Sequence, residues 1–362
     1  MRFVAEEGLW TAGPVRAPAP LTAVLEVTGA VLSWTVDEPE AGAHIAFTDV
    51  RRADWLWRIV GEQGHDAVVT ALGSRPATGS IDVPVSVTDG VALTALRRLA
   101  VGHWLRRWWP ASRRDGIAVL DAALLDGELA LLTARADAFF TDDTLDSDLA
   151  ELLSPRLVGL DAAGRLGDPR VVELVDACRD LAEDIGVAGV QSDGDPARGR
   201  RDDYALAAGS GPAAPDVTTI ATGVASVPWA AVPPGVFDAA EDTVDWRVWA
   251  DGATVSALVR AEVAGSGAHG ISVFVESGAL SGSGTLSEAG ESTIGLVDAS
   301  GDPVTEHAGW NHDWRDTVVR VGPRVPESRQ LRDRARTFAR SRSRRLPADV
   351  YLAEVLAAES DY

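Results

Sequence analysis

The chain has 362 residues, a formal net charge of −21 and an apolar fraction of 46%. That much apolar surface excludes a disordered polypeptide, and the length predicts more than one core. No run approaches the roughly 18 consecutive apolar residues of a membrane span, and a single cysteine, Cys178, excludes an intrachain disulfide and a cysteine-based zinc cluster.

The N-terminal stretch "MRFVAEEGLW" carries two Glu where a secretory signal is apolar, which predicts a cytoplasmic protein. Residues 1–89 read as a β-rich domain. "LTAVLEV", "AVLSWTV" and "HIAFTDV" are short, alternating, β-branched runs, and "ADWLWRIVG" and "SIDVPVSVTDG" are read as continuing them. Residues 90–186 read as a helical domain. Leu96, Ala100, Trp104 and Trp108 recur at spacing four, and Pro110 ends that helix. In "DPRVVELVDACRDLAEDIG", Asp168 is a natural N-cap and Pro169 a natural first residue. Val171, Leu174, Val175, Cys178, Leu181, Ala182 and Ile185 form its apolar stripe.

Residues 187–216 lack periodicity and are rich in Gly, Pro and charge, so a linker or long loop is expected there. Residues 217–323 return to short strands with Gly-rich turns, the pattern of an antiparallel β-sandwich of immunoglobulin-like size. Residues 324–362 read as a C-terminal helical hairpin, with Leu331, Ala335, Phe338 and Leu346 near one face of its first helix. The expected fold class is therefore α+β and multidomain.

All 33 basic residues are Arg, and Asn occurs only at Asn311. The composition resembles the coding bias of a high-GC bacterium, which weakens any argument from Arg abundance alone. Complete catalytic motifs are absent: there is no G-x-S-x-G, no H-E-x-x-H, and no Lys for a phosphate-binding loop. "GSGAHG" at 265–270 has the letters of a dinucleotide fingerprint, but a strand rather than a helix follows, so it reads as a hairpin loop. Cys178 lies on an apolar stripe and reads as a buried, inert thiol. The acidic run at 141–148 lacks the glycine and closing glutamate of a calcium loop and reads as a solvated loop. Asp121 and Glu128 are expected on one face of the second helix, paired with Arg of the first.

Three function classes remain. The reading preferred from the sequence is a non-enzymatic protein-binding or scaffold subunit of a bacterial cytoplasmic assembly, with no cofactor. Its interface would be built on Arg106, Arg107, Trp109, Arg113 and Arg114 of "GHWLRRWWPASRRDG", because Trp and Arg are favoured interface anchors. For that stretch itself the preferred reading is structural, a basic helix packed against the acidic helix that follows it, with the interface as the alternative. The second class is an enzyme with an unfamiliar metal site, its ligands His307, His312 and Asp313 in a loop at 306–314. The third is a nucleic-acid binder using the Arg/Trp segment 97–114, disfavoured by the net charge of −21. The partner expected is another protein.

Overall fold

The computed structural model describes residues 1–73, 76–87, 90–137, 139–140, 149–187 and 218–360. Helices and antiparallel sheets combine in an α+β, multidomain arrangement of two compact units. The first unit comprises Met1–Trp109, Ile117–Val190 and Ser328–Tyr362, and the second comprises Pro110–Gly116 and Gln191–Glu327. The segments read separately as a β-rich domain, a helical domain and a C-terminal hairpin thus fall almost wholly in one unit. The reason is cover: a sheet with one apolar face must bury it, and here the helices do so.

In the first unit, strands β1 (Arg2–Glu6), β2 (Leu9–Ala12), β3 (Thr22–Val27), β4 (Ala30–Thr35), β5 (His44–Phe47) and β6 (Ser80–Asp82) form one sheet in the order β3-β4-β5-β2-β1-β6. Alternation in β3 buries Ala23, Leu25 and Val27. Gly29 turns the chain into β4 with φ +77°, and a Cβ there would lie 2.7 Å from the Ala53 amide nitrogen, so only glycine fits.

Two expectations for this region are corrected. "ADWLWRIVG" is not a strand but a 3₁₀ turn, Asp54–Leu56, leading into α1 (Trp57–Val60), with α2 (Glu62–Leu72) following. Trp55, Leu56, Ile59 and Val60 are buried, a helical spacing that β-branched and aromatic residues disguised. Of "SIDVPVSVTDG" only Ser80–Asp82 forms a strand, with Val83 adding backbone bonds to Met1 before Pro84, which has no N–H to donate.

Helices α3 (Gly90–Trp108), α4 (Ala122–Asp137), α5 (Leu149–Leu153), α6 (Leu157–Gly164) and α7 (Pro169–Asp184) complete this part. The predicted stripe of α3 is buried at Leu96, Ala100 and Trp104, whereas Trp108 is only half-buried. Trp104 donates its indole N–H to the Pro20 carbonyl at 2.6 Å and packs edge-on against Phe338. In α7, Asp168 caps the Arg170 amide and Pro169 opens the helix as expected, and Val171, Leu174, Val175, Cys178 and Ala182 are buried. Ile185, placed on that stripe by its spacing, is exposed where the helix ends. Asp121 lies outside α4: its Oδ1 accepts from the Ala123 and Leu124 amides as a cap, so it shares no helix face with Glu128. The acidic run at 141–148, and the linker beyond Val187, lie outside the described residues.

The second unit holds β7 (Thr218–Ala225), β8 (Val244–Ala250), β9 (Val255–Ala261), β10 (Ser272–Ser277), β11 (Leu280–Thr285), β12 (Glu291–Gly295), helix α8 (Glu306–Asn311) and β13 (Val318–Val321). Two antiparallel sheets, β12-β9-β8-β7 and β11-β10-β13, share one aliphatic core. Val244, Trp246, Val248 and Ala250 alternate inward from β8, opposed by Val273, Val275, Val319 and Val321 of the other sheet. "GSGAHG" connects β9 to β10 with Gly267 and Gly270 at positive φ.

The chain returns to the first unit in α9 (Arg329–Arg344) and α10 (Leu352–Ser360). The buried face of α9 is only in part the one its apolar residues predict, Ala335 being buried but Leu331 and Phe338 only half-buried. Arg332, Ala335, Arg336, Ala339 and Arg342 are buried, while Leu346 is exposed. Arg342 is held by Glu354 through two 2.6 Å contacts and by Asp349 at 2.9 Å. Asp349 also takes Arg97 at 3.0 Å, and Glu128 accepts from Arg98 and from the Leu352 amide. A buried guanidinium is tolerated when its charge and N–H groups are met, as they are at Arg342, whereas the buried Nε of Arg97 and of Arg98 has no hydrogen-bond partner among the described residues.

Candidate binding surfaces

The Arg/Trp stretch divides between the two units. Arg106, Arg107 and Trp109 belong to the first, Arg113 and Arg114 to the second. Arg107 lies over the Trp108 ring at 4.2 Å, and Trp109 donates its indole N–H to the Ala118 carbonyl at 2.9 Å. Arg113 gives its backbone N–H to Asp238, and Arg114 pairs with Glu262 and donates to the Asp242 carbonyl. The acids of α4 do meet Arg of α3, as Arg98–Glu128 and Arg106–Asp126, but Arg97 turns instead to Asp349.

Around Asp126 the geometry is unusual. Its carboxylate is 1% exposed, with Arg106 Nε 3.0 Å from Oδ1 and Arg156 Nε 2.8 Å from Oδ2. His103, in the same neighbourhood, has its pKa lowered to about 4 by burial, then by the Arg106 charge, with Asp126 opposing. It is therefore neutral at pH 7. Sequence reasoning missed Asp126, His103 and Arg156. The available signal was a lone acid inside the apolar run "AALLDGELALL".

The segment 306–314, expected as a loop, contains α8 and a 3₁₀ turn at Trp314–Asp316, started by caps at Thr305 and Asp313. The structure does not gather His307, His312 and Asp313 into one site. The His307 ring meets the Asn311 amide at 3.1 Å, His312 Nε2 lies 2.8 Å from Ser277 Oγ, and Asp313 clamps Arg315. Among the described residues no three His, Cys, Asp or Glu side chains are placed to hold a metal ion. Ser277 and His312 have the separation of a nucleophile and its base, and Thr317 adds a second hydroxyl at 3.0 Å. Ser277 is 1% exposed, however, so no substrate reaches its Oγ and the trio joins α8 to β10 and β13. Cys178 is buried with its pKa pushed up to about 12, chiefly by burial, which suits the inert reading.

The sandwich carries a feature the sequence did not single out. Strand β7 is eight residues long, "TTIATGVA", and stands at the edge of its sheet. Among the described residues nothing pairs with the edge facing away from β8. Natural edges are blunted by charge, proline or bulges. This one has a single irregularity, between Thr219 and Ala221, and no charge or proline. Gly223 lets the Trp246 indole lie beneath the strand, where a Cβ would sit 2.9 Å from its Nε1. On the outer face a shallow groove of about 630 Å³ is lined by Thr222, Val224, Asp245, Arg247, Leu258 and Arg260. Arg260 is paired with Glu291, but Arg247 has no ion pair among the described residues and extends toward Trp249, 6.0 Å from its ring centre.

Among the described residues no helix is long and apolar enough to cross a membrane. No protein-family model, curated protein or solved structure matches the chain.

Proposed function

We propose that this chain is a non-enzymatic protein-binding subunit of a cytoplasmic assembly, and that its sandwich takes an extended segment of a partner protein along β7. The observation that carries the reading is the edge of β7 left unpaired among the described residues, beside the groove around Arg247. An added strand supplies the N–H and C=O partners the edge lacks among the described residues, and side-chain pockets on one face give specificity. Neighbouring strands lie about 4.8 Å apart, so an acidic side chain on the added strand facing Thr222 comes within reach of Arg247 across that residue. Val224, 55% exposed, offers the apolar contact one pair further along. The occupant is thus a β-branched, extended segment with one acidic residue on its groove side. Arg106, Arg107, Trp109 and Arg114 each have contacts inside the chain, so the proposal rests on β7 rather than on them.

Selection of displayed random peptides against the full-length protein tests this. The expected outcome is a set of β-branched peptides with a recurring acidic position. The Thr222→Lys plus Val224→Lys variant should lose them while keeping its circular dichroism. Arg247→Gln should weaken them about tenfold or more. Peptides that bind the folded double-lysine variant undiminished would overturn the reading.

A further inference from the structure

Asp126 is a buried carboxylate with two guanidinium partners, Arg106 on one oxygen and Arg156 on the other. One guanidinium would balance its charge, so the second is surplus, and the trio carries a net charge of +1 in a chain of −21. Both contacts are made through Nε. Each guanidinium has five N–H donors, so the four Nη–H of each are not needed for Asp126. The side chains of Arg106 and Arg156 are 43% and 37% exposed, and neither has another hydrogen bond or ion pair among the described residues. The hydrogen bond from Arg156 Nε fixes that guanidinium, and the buried charge of Asp126 holds Arg106 beside it as an ion pair without a hydrogen bond, which lowers the ordering cost of binding. Neutral His103 adds no charge to the cluster.

We propose that Arg106 and Arg156, held together by Asp126, form a binding site for a phosphate dianion, either free or carried as the monoester of a small molecule. The tetrahedral dianion matches two guanidinium forks in charge and geometry, whereas a carboxylate monoanion engages only one. The site lies wholly within the first unit and is independent of strand addition at β7 in the second.

The experiment is a calorimetric titration of the full-length protein with inorganic phosphate, methyl phosphate and acetate at pH 7.5. Both phosphates are expected to bind at least about tenfold more tightly than acetate. The tighter of the two identifies the free ion or the ester as the ligand, and either result supports the site. Arg106→Gln and Arg156→Gln should each weaken phosphate about tenfold or more. In each variant the other arginine still neutralises Asp126, so the fold is expected to persist, and circular dichroism checks it. Arg247→Gln should leave phosphate binding unchanged. Phosphate affinity that survives in both folded variants, or acetate binding as tightly as phosphate, would overturn the proposal.

Discussion

The two units handle charge in opposite ways. In the first, α9 buries Arg332, Arg336 and Arg342, and α10 and α4 bury Glu354 and Asp126. In the second, the sandwich core is Val, Ala, Ile, Leu, one Phe and two Trp, with its described arginines outside. An aliphatic sandwich is held by area removed from water, without directional demands. A helical layer built on guanidinium–carboxylate pairs is costly to desolvate and punishes any missing partner, so it specifies which helix meets which. In a chain with no lysine, the planar guanidinium serves as a structural element in one unit and as a surface group in the other.

The sharpest way to break this contrast is to remove one arginine from each unit. Arg342→Met leaves Glu354 and Asp349 without their shared cation and is expected to cost about 3–5 kcal/mol in urea unfolding. Arg260→Met, which deletes an exposed cross-strand pair with Glu291, is expected to cost under about 1 kcal/mol. Equal losses would remove the distinction. The converse substitution sharpens it: Val248→Ala, at a fully buried core position of β8, should cost about 2–3 kcal/mol with no pH dependence.

His103 gives the first unit a pH signature. It stays neutral in the native chain down to about pH 4 but protonates near 6.5 when unfolded. The unfolded chain therefore binds more protons in that window. The stabilisation is complete above pH 6.5 and falls on acidification toward 4, by up to roughly 3 kcal/mol. His103→Gln should flatten that part of the stability profile, whereas Val248→Ala should leave its slope unchanged. A smaller effect is expected at Gly102, where a Cβ would lie 2.6 Å from Leu129 Cδ1 and press on the Tyr351 hydroxyl. Gly102→Ala should cost about 1–3 kcal/mol by overpacking.

The same contrast explains what could be read in the sequence. Helix α7 was legible because its cap, its opening proline and its 3.6-residue stripe agree locally. The sandwich was legible because Val244, Trp246, Val248 and Ala250 alternate. The buried face of α9 was not, because arginine is normally assigned to solvent. Its partners Glu354 and Asp349 lie in a later segment that only the hairpin brings back. The cluster at Asp126 draws on residues 30 positions apart, and no spacing rule joins Arg156 to a helix two elements earlier. The edge position of β7 depends on strand order, which alternation within one strand does not encode.

Backbone amide exchange of the full-length protein, with and without a selected peptide, tests the central functional claim most directly. Alternate N–H groups of β7 face away from β8. The account predicts that they exchange rapidly in the free protein and become protected when the peptide binds, with the core strands β8 and β9 unchanged. Protection of β7 already complete in the free protein, or protection appearing elsewhere on peptide addition, would contradict it.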